Sequence, residues 1–318
     1  MIKSIVSKVM SNKKNILLHE FHDPRIIKAM TGVIQDDVAD ISLLGEQSEI
    51  FNKINNVDNG IVNYILSNIN IINPKSPDVK SIIDNDAMIK CDGYTYPEYS
   101  NIDVGHILLK NGVVDGMVSG ATMPTGNVIK SALKHVGLKE GMSTLSSFFL
   151  MEKYDNNPLL FADCAVVVSP TAKQLVDISL STRESYKLFF GKEPKIALLS
   201  HSTMGSSKGR EVHKIMEAVS IIKNFDKKIL VDGELQLDAA LIPEVAKIKS
   251  PHSIIKGDAD ILIFPSLDAG NIGYKLAERL GNYTATGPVF QGLNRQTNDL
   301  SRGCSVEDIY NMIAITSL

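Results

Sequence analysis

Short runs of aliphatic and β-branched residues alternate with longer amphipathic stretches along the chain. The order begins with a strand-like run at Asn15–Glu20 (NILLHE), a helical run at Pro24–Gln35 with Asp23 as its N-cap, and a strand-like run at Asp40–Leu44. In parallel α/β proteins each strand is followed by a crossover helix. This order therefore predicts mostly parallel sheets with helices on both faces.

The same alternation continues to the C-terminus. Further strands are predicted at Ile69–Ile72, Val113–Val118, Leu159–Val168, Lys195–Leu199, Lys228–Val231, Ile261–Phe264 and Thr284–Val289. Further helices are predicted at Glu46–Asn56, Val104–Asn111, Thr125–Val136, Ala172–Phe190, Gly209–Lys223, Leu237–Lys247, Ala269–Leu280 and Val306–Ile315. A length of 318 residues favours two domains, and the glycine-rich run VGLKEGMS suggests a boundary near Gly141.

The composition is that of an ordinary globular chain, with 44% hydrophobic and 22% charged residues and a net charge of −3. This charge gives no support to a nucleic-acid partner or to polybasic contact with a membrane. No apolar run reaches the length of a membrane span, and the N-terminus lacks a secretory signal pattern. Cys91, Cys164 and Cys304 are far apart, so we expect reduced thiols in a cytoplasmic protein.

Residues 287–310 have the composition of a binding loop that leads into a helix. Ser305 is placed as the N-cap of this helix, and Asp308 is placed as the acidic partner of a capping box. Ser301, Arg302 and Asp308 then lie at a helix N-terminus, where backbone N–H groups and the helix dipole favour anions. Two interpretations remain open. Either Asp308 only caps the helix and the other two are surface residues, or the three form a site for an anionic ligand.

Two further loops follow predicted strands, which is where parallel α/β sheets bind ligands. Residues 119–127 (SGATMPTGN) and residues 200–210 (SHSTMGSSKGR) are both small and rich in hydroxyl groups. Neither is a P-loop or a dinucleotide fingerprint, which argues against a P-loop NTPase and a nicotinamide-binding Rossmann domain. The residues predicted to contact an anionic ligand are Ser119, Thr122, Thr125, Lys130, Ser202, Thr203, Gly205, Ser206 and Asn298.

Residues 231–238 (VDGELQLD) bring three carboxylates together after a predicted strand. One interpretation is a site for a divalent cation, and the other is a turn at Asp232–Gly233 with Asp238 near the start of the next helix. No histidine or further oxygen cluster completes a metal shell. We therefore expect no metal site here.

Six sequence runs carry a similarity to known proteins. They are VDGMVSGA at 114–121, FADCAVVVSPTAKQL at 161–175, LLSHSTMGSSKG at 198–209, VDGELQLDAALIPEV at 231–245, ILIFPSLDAGNIGYKLAERLG at 261–281 and GPVFQGLNRQTNDLSRGCSVEDIYN at 287–311. Together they resemble the phosphate acetyltransferases (phosphotransacetylases) of the phosphate acetyl/butyryltransferase family. The D-x-R pattern of Asp23 and Arg25 also fits. The similarity is dense from Val104 to the C-terminus and thin between Glu46 and Asp103.

The resemblance implies an α/β architecture of two three-layer αβα domains with mostly parallel sheets. This is the isocitrate/isopropylmalate dehydrogenase type, with the active site in the interdomain cleft. In that fold the C-terminal segment returns to the first domain. Domain I is therefore expected at residues 1–141 plus 288–318 and domain II at residues 142–287. The resemblance also implies a homodimer.

The resemblance further implies reversible transfer of an acetyl group between acetyl phosphate and coenzyme A. The family's catalytic serine, arginine and aspartate fall on Ser301, Arg302 and Asp308. Coenzyme A or acetyl-CoA is then a substrate, phosphate is the other small molecule, and no tightly bound cofactor is expected. Lys130 stands where the family commonly has an arginine, which keeps the charge and loses the two-pronged donor. Residues 84–103 are acidic where the family usually carries a basic segment associated with coenzyme A binding, which argues against the usual coenzyme A affinity.

Three alternatives to acetyl transfer remain open. The first is the same chemistry on a longer acyl group, such as propionyl or butyryl phosphate. The second is a non-catalytic regulatory protein that binds acyl phosphate or coenzyme A, suggested by the acidic segment at 84–103. The third is a hydroxy-acid dehydrogenase of the same fold, which the missing nucleotide fingerprint disfavours.

Overall fold

The computed structural model describes residues 2–86, 99–154 and 157–318, with side chains from residue 5 onward in these ranges. The chain forms two compact units. Unit 1 comprises Met1–Glu140 and Leu293–Leu318, and unit 2 comprises Gly141–Gly292. Most of the acidic 84–103 segment, including Cys91, lies outside the described residues. None of the helices within the described ranges combines the length and the apolar character that a membrane span requires.

Strands and helices alternate along most of the described chain. The strands are β1 (Asn15–Leu18), β2 (Asp40–Leu44), β3 (Ile69–Ile72), β4 (Gly116–Ser119), β5 (Ser146–Glu152), β6 (Leu159–Ala162), β7 (Lys195–Leu199), β8 (Leu230–Leu235), β9 (Ile261–Ile263), β10 (Thr284–Gln291) and β11 (Gln296–Asp299). The helices are α1 (Ile2–Val9), α2 (Pro24–Gln35), α3 (Gln47–Val57), α4 (Val62–Ser67), α5 (Pro77–Asn85), α6 (Asn101–Lys110), α7 (Thr125–His135), α8 (Ala172–Phe190), α9 (Arg210–Phe225), α10 (Leu237–Leu241), α11 (Pro243–Lys249), α12 (Leu267–Arg279) and α13 (Val306–Thr316).

Unit 1 is built on a parallel sheet with the strand order β11-β4-β1-β2-β3. The helix α2 forms where the sequence predicts it, since Asp23 accepts a hydrogen bond from the Arg25 N–H and Pro24 occupies the first turn. Met30 and Val33 lie on its buried face. The parallel order brings the carboxyl ends of all five strands to one edge of the sheet.

Unit 2 is built on a mixed sheet with the strand order β10-β5-β6-β9-β7-β8. The strands β6, β9, β7 and β8 pair in parallel, whereas β5 runs antiparallel to both β6 and β10. The strand β10 continues to Gln291, which pairs with Ser146 of β5. Residues 288–292, expected in domain I, therefore belong to unit 2, because this pairing holds them there.

Two elements predicted in unit 2 differ from their expected bounds. The strand predicted at Leu159–Val168 ends at Ala162. The next N–H groups donate hydrogen bonds to the carboxylate of Asp163 and are not available for pairing with a neighbouring strand. The Asp163 oxygens accept from Ala165, Val166 and Val167 at 2.7–3.3 Å. The helix predicted at Leu237–Lys247 is divided into α10 and α11, since the ring of a proline at position 243 cannot continue a helical ladder.

The turn predicted at Asp232–Gly233 is wrong. The strand β8 runs through both residues and pairs in parallel with β7, with Val231 opposite Ile196 and Asp232 opposite Ala197. The polar letters of this run suggest a turn, but the strand is held by its neighbour in the sheet and not by its local sequence.

Gly270, in α12, packs directly against the backbone that follows β6. Alanine usually stabilises a helix by about 1 kcal/mol relative to glycine. Here a Cβ would lie 2.3 Å from the carbonyl oxygen of Asp163 and 3.1 Å from the Cys164 sulfur. The backbone atoms after β6 cannot move aside without strain. Gly270→Ala is therefore expected to lower the free energy of unfolding by about 2 kcal/mol, measured by urea denaturation.

Gly126→Ala is the matched control for this prediction. Gly126 lies in the first turn of α7, and a Cβ there would meet nothing within 4 Å. This variant is expected to be neutral or slightly more stable. A stabilised Gly270→Ala variant would contradict the close approach of α12 to the segment after β6.

Candidate active site

Two of the predicted loops leave the same edge of the unit 1 sheet side by side. Ser119 ends β4 and Asp299 ends β11, and the two residues are partners in the parallel register. The N–H of Leu300 donates to the carbonyl of Ser119 at 2.7 Å, so the pairing extends past β11. Residues 120–124 then lead into α7, and residues 300–305 lead into α13. Two helix N-termini thus follow neighbouring strands, which favours anions at this edge.

The loop 120–124 is held by the carboxylate of Glu20, two residues after β1. Oε2 accepts a hydrogen bond from the Ala121 N–H at 2.9 Å. Oε1 accepts from the N–H of Thr122 at 2.8 Å and from its hydroxyl at 2.6 Å. The hydroxyl of Thr122, predicted to contact the ligand, is therefore committed to a carboxylate of the protein itself.

Arg25, in the first turn of α2, joins the two loops. Nη2 donates to the carbonyl of Ala121 at 3.0 Å, and Nη1 donates to the carbonyls of Arg302 at 3.0 Å and Cys304 at 2.7 Å. Asp23 binds the same guanidinium at 2.6 Å, and this contact raises the pKa of Arg25 and lowers the pKa of Asp23. The D-x-R pattern is the sequence signal for this pair, although sequence reasoning assigned it no contact.

Ser301 and Arg302 are exposed in the loop that follows β11. The Ser301 hydroxyl oxygen accepts a hydrogen bond from the Gly303 N–H at 3.3 Å. Within the described ranges, the Arg302 guanidinium has no carboxylate partner. An exposed, unpaired guanidinium beside a hydroxyl is suited to hold a phosphoryl group through two parallel N–H···O contacts.

Asp308 forms the capping box that the sequence predicts. Its Oδ2 accepts hydrogen bonds from the N–H of Ser305 at 2.8 Å and from the Ser305 hydroxyl at 2.9 Å. The Ser305 oxygen in turn accepts from the Asp308 N–H at 3.1 Å. In this conformation Asp308 therefore caps α13, which is the first of the two interpretations that the sequence leaves open. The exposed carboxylate lies in the first turn of α13, after the loop that carries Ser301 and Arg302, and its catalytic role stays a prediction.

Lys130 is exposed on α7 and lines a cavity of about 330 Å³. Other residues that line this cavity are Ser100, Asp103, Asn127, Ser131 and Lys134. Burial opposes the charge of Asp103, but hydrogen bonds from His135, Ser100 and Ser131 outweigh it and lower the pKa of Asp103 well below its usual range. The cavity therefore combines two lysines with one firmly ionised carboxylate.

Three residues predicted to contact the ligand are directed into the protein instead. Ser119 is fully buried at the end of β4. The Thr125 hydroxyl donates to Asp299, and the buried amide of Asn298 donates to the Thr316 hydroxyl at 2.8 Å. In this conformation the three side chains therefore lie within unit 1 at the sheet edge, and their contact with a ligand stays a prediction.

The hydroxyl-rich loop after β7, in unit 2, is hydrogen-bonded to a buried carboxylate of the protein. Oε1 of Glu234, which is buried in β8, accepts from the Gly205 N–H at 2.7 Å and from the Ser202 hydroxyl at 3.1 Å. The Thr203 N–H donates to the Ser206 hydroxyl at 3.0 Å. Ser202 and Thr203 are buried, whereas Gly205 and Ser206 are exposed. The backbone donors that were expected to hold an external anion are therefore bound within the protein.

The three carboxylates of residues 231–238 have separate partners. Asp232 pairs with Lys223 at 2.9 Å and Asp238 pairs with Lys249 at 2.7 Å, while Glu234 holds the loop after β7. In the part of the chain that the structure describes, no group of three or more His, Cys, Asp or Glu residues could hold a metal ion.

Cys304 lies between Arg302 and the N-cap of α13 and is buried. Burial raises the pKa of its thiol, and the nearby Asp308 raises it further, although Arg25 acts in the opposite direction. A thiol with a raised pKa is a poor nucleophile at neutral pH, so the structure supports the interpretation of Cys304 as an inert thiol.

The whole chain matches one family of known proteins. A family model described as phosphate acetyl/butaryl transferase covers residues 1–317. The chain belongs to the phosphate acetyl/butaryl transferase family. A phosphate acetyltransferase of Thermoanaerobacterium thermosaccharolyticum is 41% identical over 329 aligned positions, which cover 100% of this chain and 98% of the relative. The structure of a phosphotransacetylase from Streptococcus pyogenes matches with a TM-score of 0.91 at 36% identity, covering 99% of this chain and 96% of that one.

The fold extends beyond the phosphate acetyl/butaryl transferase family. A 4-hydroxythreonine-4-phosphate dehydrogenase from Klebsiella pneumoniae matches with a TM-score of 0.53 at 11% identity, covering 96% of this chain and 98% of that one. This likeness concerns the fold alone and confirms the prediction of a dehydrogenase-like α/β architecture. The family is enzymatic, which confirms the prediction of a transferase and disfavours both the regulatory and the dehydrogenase alternatives.

Proposed function

We propose that this chain transfers an acetyl group reversibly between acetyl phosphate and coenzyme A, and that Ser301, Arg302 and Asp308 perform the transfer. The single observation that carries the proposal is the exposed guanidinium of Arg302 beside Ser301, which has no carboxylate partner among the residues that the structure describes and lies at the edge where two helix N-termini follow β4 and β11. The full-length similarity to phosphate acetyltransferases supports the choice of reaction.

Arg302 is proposed to hold the phosphoryl group of acetyl phosphate, because a planar, two-pronged donor suits its oxygens. The sulfur of coenzyme A attacks the carbonyl carbon, a C–S bond forms, and the C–O bond to phosphate breaks. Ser301 donates a hydrogen bond to the negative charge that develops in the transition state. The proton of the thiol passes to Asp308, and no acyl-enzyme forms.

Transfer of the proton from the thiol to Asp308 is the least favourable step of this mechanism. An ordinary thiol has a pKa of about 8.5 and an ordinary carboxyl group one of about 3.9, so complete transfer in water is uphill by about 6 kcal/mol. We therefore propose that the proton moves as the C–S bond forms, because the sulfur then donates an electron pair to the acyl carbon and its proton becomes more acidic. A positive charge at Arg302 favours the thiolate at the same moment.

Lys130 and its cavity are proposed to bind an anionic part of coenzyme A. Two lysines line the cavity, and Lys130 has no ion-pair partner within the described ranges. The homodimer and the cytoplasmic location expected from the sequence stay predictions, as does the absence of a tightly bound cofactor.

The experiment that tests the function is a spectrophotometric assay of thioester formation with the purified chain and coenzyme A. Acetyl, propionyl, butyryl and branched acyl phosphates are compared as donors. The proposal expects the highest kcat/KM with acetyl phosphate. A higher value with butyryl phosphate would move the chain to the longer-chain activity, and no turnover with any acyl phosphate would overturn the proposal.

Asp308→Asn separates the catalytic role of Asp308 from its capping role. Loss of a general base is expected to lower kcat by about 10²–10⁴-fold, measured at saturating substrates. Ser305→Ala is the control, because it removes the cap and leaves the carboxylate. It should lower the free energy of unfolding by about 1 kcal/mol with little change in kcat. Nearly unchanged turnover in Asp308→Asn would remove Asp308 from the role of base.

A further inference from the structure

Asp299 is the last residue of β11 and stands two positions before Ser301. Its side chain is buried, with only 1% of its surface exposed. Oδ2 accepts a hydrogen bond from the hydroxyl of Thr125, at the start of α7. Oδ1 is buried and has no hydrogen-bond partner among the described residues. Neither the sequence motifs nor the proposed chemistry uses this carboxyl group.

The carboxyl group of Asp299 lies where both loops of the candidate site begin. A Cβ on Gly120 would stand 2.1 Å from Oδ1 and 2.8 Å from both the N and the O of Leu300. Asp299 therefore contacts the loop 120–124 by packing, α7 by a hydrogen bond, and the loop after β11 by direct chain connection. A change in the charge of Asp299 therefore changes the electrostatic field at the two loops and at the start of α7.

Among the described residues, no cation forms an ion pair with Asp299. The charged side chain whose field acts on Asp299 is that of Glu20. The titratable and charged groups on the neighbouring elements are His19 after β1, His106 on α6, which contacts Thr297 of β11, and Arg25 on α2, which binds the carbonyl of Ala121. Arg302 is three positions further along the chain and is exposed. Burial lowers the pKa of His19, and it lowers that of His106 to about 3, so both imidazoles are neutral at physiological pH. The guanidinium of Arg25 is already bound by Asp23 and by three carbonyl oxygens.

Burial and the neighbouring Glu20 both oppose ionisation of Asp299. They raise the pKa of Asp299 to about 7, although the hydrogen bond from Thr125 acts in the opposite direction. The unpaired Oδ1 fits the same conclusion, because a buried carboxylate oxygen without a donor is costly. The carboxylate of Glu20 accepts three hydrogen bonds from the loop 120–124, whereas the side chain of Asp299 accepts one from Thr125, so a negative charge on Asp299 has less support from its neighbours.

We propose that Asp299 is a positioning residue whose charge sets how tightly the edge formed by Ser301 and Arg302 holds an anionic substrate. This proposal rests on the proposed function. When neutral, Asp299 leaves the positive charge of Arg302 unopposed. When ionised, it places a buried negative charge two positions before Ser301 and weakens the binding of acetyl phosphate without touching it.

The consequence is a pH dependence of KM for acetyl phosphate. For two unit charges roughly 10 Å apart in an effective dielectric of roughly 20–30, Coulomb's law gives about a tenfold change in a binding equilibrium, and this is the scale of effect expected here. KM should therefore be lowest below pH 7 and rise about tenfold as the pH passes through the pKa of Asp299. Coenzyme A is kept saturating so that ionisation of its thiol affects kcat and not this KM.

Asp299→Asn is the decisive variant, because the amide keeps the shape and never ionises. Its KM for acetyl phosphate is expected to stay nearly constant between pH 6 and pH 8.5 (roughly one pH unit or more on either side of the transition). Asp115→Asn is the matched control. Asp115 is an exposed aspartate just before β4, at the opposite edge of the same sheet, and this variant should keep the wild-type rise.

Thr125→Val provides a second, independent readout. It removes the side-chain hydrogen bond that favours the charged form of Asp299, so the rise in KM should move to higher pH. A merely structural role for Asp299 would not move the pH of the transition. A wild-type KM that is flat across the range, or one that rises equally in Asp299→Asn, would overturn the proposal.

Failure of the proposed function can be told apart from failure of this proposal. If no acyl phosphate is turned over, the function fails, and the charge of Asp299 is still read from thermal unfolding. Because the folded protein favours the neutral acid, wild-type stability should fall as the pH rises from about 4 to about 7, and the fall should be smaller in Asp299→Asn. Identical pH dependence of Tm in the two proteins would overturn the proposal by itself.

Discussion

Replacing Arg302 with Gln is expected to lower kcat/KM for acetyl phosphate by about a thousandfold, which corresponds to about 4 kcal/mol of transition-state stabilisation. The guanidinium is exposed and unpaired within the described chain, so its removal leaves the phosphoryl group without its proposed cation. Arg302→Lys keeps the charge but loses the planar fork and should recover about one tenth of the wild-type value. Steady-state kinetics of thioester formation measure both.

Arg295→Gln is the matched control for the Arg302 variants. Arg295 is also exposed, and it lies directly before β11, at the opposite edge of the same sheet. Its replacement should leave kcat/KM within about twofold of the wild type, because its charge is separated from the site by the length of the strand. An equal loss in both variants would mean that general charge attraction, and not a specific contact, accounts for the effect of Arg302.

Gly120→Ala is expected to lower the free energy of unfolding by about 3–5 kcal/mol. Gly120 has a φ of +103°, which strains any residue with a side chain, and a Cβ would overlap the Asp299 carboxyl group at 2.1 Å. The backbone of Leu300 is also within 2.8 Å, so the loop after β11 must move. In the folded fraction, kcat/KM should fall about a hundredfold, since Ser301 and Arg302 are displaced. Urea denaturation and steady-state kinetics measure the two effects.

Gly141→Ala separates backbone strain from steric overlap. Gly141 has a comparable φ of +82°, but a Cβ there would meet nothing within 4 Å. This variant should therefore show only the strain of the left-handed conformation, about 1–2 kcal/mol. If Gly120→Ala were no less stable than Gly141→Ala, the carboxyl group of Asp299 could not be seated against Gly120.

Elements with strong local signals could be predicted closely from the sequence. The helix α8 was expected at Ala172–Phe190 and has those bounds, because Thr171 and Gln174 form a capping box and Gly191 ends the helix with a φ of +68°. The strand β7 likewise coincides with its predicted run, Lys195–Leu199. In both cases the information lies within the element and its two ends.

The strand β11 could not be predicted in the same way. Its sequence, QTND, is wholly polar, yet Thr297, Asn298 and Asp299 are buried. Their partners come from distant parts of the chain: Thr297 contacts His106, Asn298 binds Thr316, and Asp299 binds a threonine on α7. Local composition carries no information about such partners, so the segment was interpreted as part of a binding loop.

The candidate site also combines residues that the local sequence indicates with residues whose contacts come from distant parts of the chain. Ser301 and Arg302 are exposed where the loop composition and the resemblance place them. The sequence does not predict the residues that hold their loop, because its pattern indicates only the end of a strand at Glu20 and a D-x-R pattern at Arg25. Their contacts join positions about 100 to 280 residues apart, which only the folded chain brings together.

The contacts of Arg25 bear on the thermodynamics of ligand capture. One guanidinium fixes the carbonyl oxygens of Ala121, Arg302 and Cys304, so two separate backbone segments are immobilised during folding and not on encounter with a ligand. The loss of conformational freedom upon association should then fall on the small molecule and on the exposed side chains, while the main chain here is already preorganised.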